Sequence, residues 1–233
     1  MAGLFAPVTS FADDIERQLW ADYNLTAHRS SKWDVYGDLG YRTTFEDPRF
    51  RRYIIRPNAL TYWRDWKFMG GIGNFITWNA DSDNTWEVRP WQGAEVMWPK
   101  SKVRLKHLFR LEERMTFHSG DTDNTFSLRL RYRIAYDINW TNPEKGSYWR
   151  TPLSLEGFTT ISGTDDEWSE DSRAMAGIDY VFGPRWAAGA EFTWQKSAAP
   201  WIRDSADEFY LRLRVFHTLS KPLLFRKSGE NQR

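Results

Sequence analysis

The sequence predicts an all-β fold, a single closed antiparallel up-and-down transmembrane β-barrel of ten to twelve strands. Twelve is expected, because bacterial single-chain barrels have even strand numbers. Three observations predict this class. Long segments alternate apolar and polar residues nearly end to end, aromatic residues stand at both ends of those segments, and connections alternate between short and long. No stretch carries a helical period of any length.

Phe126–Trp140 shows the pattern best: every even position is apolar or aromatic, while the odd positions include Arg129, Arg131 and Arg133. A period of two places those sets on opposite faces of one strand. At ~3.3 Å per residue and a tilt of roughly 40°, fifteen residues rise about 38 Å, enough to cross a bilayer. The remaining segments follow in order as Arg17–Ala27, Lys32–Phe45, Arg49–Trp63, Trp66–Asn79, Thr85–Trp98, Lys102–His118, Trp149–Ile161, Arg173–Phe182, Arg185–Lys196 and Glu208–Thr218. With the first they make eleven, so the twelfth is expected near the N-terminus or split from a longer segment. Pro57 demands an unpaired position or a bulge, and Gly70, Gly71 and Gly73 mark close packing or a bend.

Composition is consistent with this. Net charge is +1 and mean hydropathy −0.67, yet no run of about 18 apolar residues exists, so no helix spans a membrane. Barrels escape that test because lumen-facing polar residues dilute the average. Aromatic residues make up 17%, and the absence of cysteine excludes disulfides and thiolate metal sites. Ser10-Phe11-Ala12 resembles a signal-peptidase site after a short apolar run, which predicts a truncated signal-peptide remnant over 1–12. The barrel is then expected over 13–219, with a basic tail over 220–233.

Tryptophan placement carries the membrane expectation. Trp33 and Phe45, Trp66 and Trp78, and Trp86 and Trp98 are each twelve residues apart on one face. Twelve tilted residues rise about 30 Å, so each pair fits two interfacial aromatic girdles, which Phe126, Trp140 and Trp186 extend. A soluble sandwich would place such rings mid-strand.

Several segments together resemble a family of small Gram-negative outer-membrane barrels known only as a domain of unknown function. They are Gln18-Leu19-Trp20, Lys32-Trp33, Trp66-Lys67-Phe68, Arg89-Pro90-Trp91-Gln92-Gly93, His107–Arg114 and Leu128–Arg133. The resemblance runs over about Glu16 to Thr218. It implies the bacterial outer membrane, with membrane lipid, lipopolysaccharide and the barrel-assembly machinery as partners, and supplies no activity.

Inward charges are the candidate functional feature. Arg104, Lys106, Arg110, Arg114, Arg129, Arg131, Arg133, Arg212 and Arg214 concentrate on three strands, with Glu112, Glu156 and Glu191 among the inward carboxylates. They either line a narrow path for small anionic solutes or pair across the lumen and fill it. No catalytic residues are expected. His107 and Glu113 break one apolar face but lie about 20 Å apart, His118 and Ser119 point to opposite faces, and no serine elbow occurs. An outer-membrane lipid-modifying enzyme and a soluble barrel binding a lipophile are the competing readings. No cofactor or metal is expected. The acidic loops lack calcium-hand spacing, and arginines facing away from the aromatics exclude a nucleic-acid stacking platform.

Overall fold

The computed structural model describes residues 16–28, 32–45, 47–79, 82–99, 104–141, 143–163, 170–197 and 207–219. The expected signal remnant, the basic tail and most of the two longest loops lie outside them. Eleven strands form: β1 (Glu16–His28), β2 (Trp33–Thr44), β3 (Arg51–Trp63), β4 (Trp66–Trp78), β5 (Thr85–Trp98), β6 (Leu105–His118), β7 (Thr125–Asn139), β8 (Tyr148–Gly163), β9 (Glu170–Val181), β10 (Trp186–Ser197) and β11 (Asp207–Thr218). A short 3-10 turn, Pro143–Lys145, sits between β7 and β8.

Each strand pairs antiparallel with the next, and the sheet closes on itself. The closing pair differs from expectation. β1 and β11 run parallel, in register from Glu16↔Glu208 to Thr26↔Thr218. Because they pair directly, no gap admits a twelfth strand, and the expected count is corrected to eleven. An odd count also puts the two ends of the described barrel at opposite rims. Glu16 lies at the long-loop rim and Thr218 at the short-turn rim.

Pleat alternation decides what each face carries. Inward positions hold the buried polar side chains, among them Gln18, Asp22, Asn24, Glu87, Glu112, Arg129, Glu156, Asp179 and Glu191. Outward positions hold exposed apolar ones, including Leu39, Ile55, Ile72, Leu155, Ile178 and Leu213. The arrangement inverts that of a water-soluble domain. Ladder pairing lapses around three prolines: Pro57 between β3 and β4, Pro90 between β5 and β6, and Pro152 between β8 and β9. A proline has no N–H to donate, so pairing lapses toward that one neighbour while it continues toward the other, at Gly37, Ile72 and Asp137.

Candidate functional site: the charged interior

The interior is built as a chain of carboxylates, each shared by several guanidinium groups. Glu112 on β6 has no solvent-accessible side-chain surface, and four arginines surround it. Arg129 lies at 2.6 Å, Arg110 at 2.9 Å, Arg89 at 3.5 Å and Arg131 at 3.8 Å. Arg89 and Arg114 also hold Glu87, at 2.5 and 3.1 Å. Arg131 bridges onward to Glu156, which Arg173 and Arg133 approach at 3.5 and 3.7 Å. Arg173 then donates to Gln195 at 3.0 Å, Gln195 donates to Glu208 at 3.5 Å, and Arg42 reaches Glu208 at 3.6 Å. The links pass from β5 through β11 to β2 and tie the wall together across its interior.

A second network sits beside the seam. Arg212 pairs with Asp22 and also with Glu191 at 3.4 Å, while Arg214 meets Glu191 at 3.1 Å. Arg56 binds Asp38 at 2.7 Å and Arg150 binds Asp179 at 2.5 Å. Arg212 and Arg214 therefore belong with the carboxylates of β1 and β10, apart from the Arg110, Arg114 and Arg129 group on β6 and β7. Lys106 pairs with Asp137 near the turn rim. Arg104 is a correction: it precedes β6, is exposed, and joins neither network.

Charge is not balanced locally. The network linked through Glu112 holds seven arginines (89, 110, 114, 129, 131, 133 and 173) and three glutamates (87, 112 and 156). Inward aromatic rings, which the sequence reading did not assign to the lumen, take up the surplus. Arg89 lies 4.3 Å from the Phe75 ring centre, and Arg110 lies 3.9 Å from that of Trp91. Phe158 faces Arg129, Arg131 and Arg173 at 5.0, 5.3 and 5.2 Å. Near the seam Arg42 sits over Trp20 and Tyr210, at 4.7 and 5.1 Å. The negative face of each ring stabilises a guanidinium that has lost its water. Ile54 and Leu108 also point inward and are buried, filling space between the charged layers.

On the outer surface the predicted girdle residues fall at the strand ends. Trp33, Trp66, Trp98, Trp140 and Trp186 lie at the turn rim, and Phe45, Trp78, Trp86 and Phe126 at the loop rim; all are exposed except half-buried Trp66. Two outward histidines join the turn-rim belt. His107 Nδ1 lies 2.7 Å from the Tyr132 hydroxyl and its Nε2 lies 3.0 Å from the Trp98 carbonyl. His217 lies 2.6 Å from the Tyr23 hydroxyl and stacks on Trp186 at 3.9 Å between ring centres. These contacts explain why His107 interrupts an apolar face. Among the described residues no cluster of three or more His, Asp or Glu side chains is placed to hold a metal ion.

A family model described as "Protein of unknown function (DUF2490)" matches residues 17–201. No curated protein and no solved structure matches the chain.

Proposed function

The chain belongs to this family of proteins of unknown function, and from that premise we propose that it is a non-enzymatic bacterial outer-membrane barrel whose interior is closed by its own ion pairs. One observation carries the reading: the barrel is inside-out, with a fully buried, arginine-surrounded Glu112 within and a belt of mostly apolar exposed side chains without. Exposed apolar surface of this extent marks an interaction with something other than water. A closed barrel satisfies its backbone groups internally, as a bilayer requires. The two aromatic belts match the two headgroup layers.

In this reading the long loops face outward and the short turns face the periplasm, and the assembly machinery of the outer membrane inserts the chain. Arg17, Arg51 and Lys196 occupy outward positions at the loop rim, where they meet anionic lipid such as the phosphates of lipopolysaccharide. The interior works as a rigid ionic core, with the barrel serving as a membrane-embedded scaffold. A channel for small anions is the second reading. It draws on Arg133 and Lys106, whose side chains keep 31% and 33% of their accessible surface. A soluble lipophile carrier would need an apolar cavity where the arginines stand.

The test is partition and depth. The folded protein is expected to float with liposomes, to need detergent for extraction, and to lose tryptophan fluorescence most strongly to quenchers placed near the lipid headgroups. Recovery in the aqueous fraction without detergent would overturn the reading.

A further inference from the structure

Among the outward side chains described, three carry an amide or a carboxylate: Asn74 on β4, Gln92 on β5 and Glu113 on β6. They lie on three consecutive strands, and none has a hydrogen bond or ion pair with the described residues. Their depth is set by the belts. Asn74 is four residues from Trp78, and Glu113 is four residues from the outward Phe117, both at the loop rim. Each therefore lies about 10 Å inside that belt, at matching heights on either side of β5. Gln92 is six residues from both Trp86 and Trp98, midway between the belts.

The same wall is thin. Gly70 pairs across the ladder with Gln92, and Pro90 and Ala94 flank Gln92 on its own strand. Small side chains allow another protein surface to approach closely inside a membrane, and polar ones there need partners.

We propose that this wall is the interface of a homodimer, formed with a second copy of this chain about a two-fold axis along the membrane normal that passes β5 beside Val88 and Pro90. The proposal rests on the membrane reading above. Such an axis sets β4 of one protomer against β6 of the other and preserves height. Asn74 of each copy then meets Glu113 of its partner, so the amide N–H donates to the carboxylate twice, once on each side of the axis. Complementarity of this kind requires an identical partner, because donor and acceptor sit symmetrically about the central strand.

The chain contains no cysteine, so a single introduced one reports position cleanly. Val88→Cys on β5, beside the axis, and Leu155→Cys on β8, three strands away, are compared in liposomes after flotation. Leu155 is 64% exposed and outward. Oxidation is expected to give a covalent dimer with Val88→Cys and little with Leu155→Cys. Adding Asn74→Leu and Glu113→Leu is expected to weaken association about tenfold, as two intramembrane hydrogen bonds of roughly 0.6 kcal/mol each imply. Floated protein that cross-links equally at both walls, or at neither, overturns the dimer and leaves the membrane reading intact. So does unchanged association in the double leucine variant. Protein that never floats overturns the membrane reading itself, and the dimer with it.

Discussion

Glu112 and Glu113 are chain neighbours with opposite surroundings, and the contrast tests the account at its smallest scale. Glu112 is fully buried and held by four arginines, whereas Glu113 faces outward with no partner among the described residues of its own protomer. Glu112→Gln leaves a cluster of buried guanidiniums without its central charge. It should cost about 3 kcal/mol, read as a lower denaturant midpoint in detergent. Glu113→Gln in dilute detergent should stay within about 0.5 kcal/mol of the parent. At the β2–β3 turn, the Arg49 side chain and its backbone N–H both donate to Asp47, at 3.0 and 2.9 Å. These bonds hold the Asp47 carboxyl below its ordinary value. A depressed carboxylate stabilises the turn above its ordinary pKa, and that contribution is lost as pH falls through the lowered value. Arg49→Gln, which keeps the backbone bond, should raise the Asp47 titration part of the way toward the ordinary carboxylate range, as followed by carbon NMR. Residue parity was readable from alternation alone for Arg129, Arg131 and Glu156. The inward aromatics were not, because Phe75-Ile76 and Pro90-Trp91 place bulky residues at adjacent positions and so blur the period. Trp91 carried a signal in Arg89, two positions before it on the same face; Phe75 and Phe158 have no arginine beside them in sequence.

Strand boundaries were legible to within about three residues throughout, since a long barrel strand carries many alternations and each is a vote for register. A repeat went unread. Asp81-Ser82-Asp83-Asn84-Thr85-Trp86 and Asp121-Thr122-Asp123-Asn124-Thr125-Phe126 each precede a lumen arginine, Arg89 or Arg129, by three residues from the aromatic. Phe209 and Arg212 keep the same spacing on β11. That repeat would have added Arg89 to the lumen group. The two loops also meet: Thr122 donates to Asp83 at 2.6 Å and the Asn84 N–H donates to Ser119 Oγ at 3.1 Å. Glycine positions give an element-scale prediction. A Cβ on Gly71 would stand 2.5 Å from Pro57 O and from Asn58 Cβ, whereas on Gly70 it would meet nothing nearer than 3.6 Å. Gly71→Ala should therefore destabilise by about 1–3 kcal/mol and Gly70→Ala should not, in paired unfolding curves. The seam has its own check. Ala21 and Leu213 are register partners, so cysteines placed at both should form an intramolecular disulfide in the folded barrel. Free thiols in folded, oxidised protein would contradict direct β1–β11 closure.

At the scale of the whole molecule, inversion is the organising fact. Buried charge is tolerated here because Glu87, Glu112, Glu156 and Glu191 each have at least two cationic neighbours and the surplus cations have aromatic faces. Alternation alone could not foretell this, since it fixes the face a residue occupies and is silent about the diameter of the space that face encloses. Whether the arginines lined water or carboxylates depended on strand number and on bulky inward residues such as Trp91 and Phe158. The parallel seam escaped sequence reasoning for a related reason: which strand the last one pairs with is a property of closure, written in no local pattern.

Planar-bilayer recording of folded, inserted protein tests the closed membrane barrel most directly. The account predicts no conductance steps from the parent protein across a range of voltage and salt. Stable steps with anion preference, abolished by Arg129→Glu together with Arg131→Glu, would contradict it and establish the arginines as the lining of an open path.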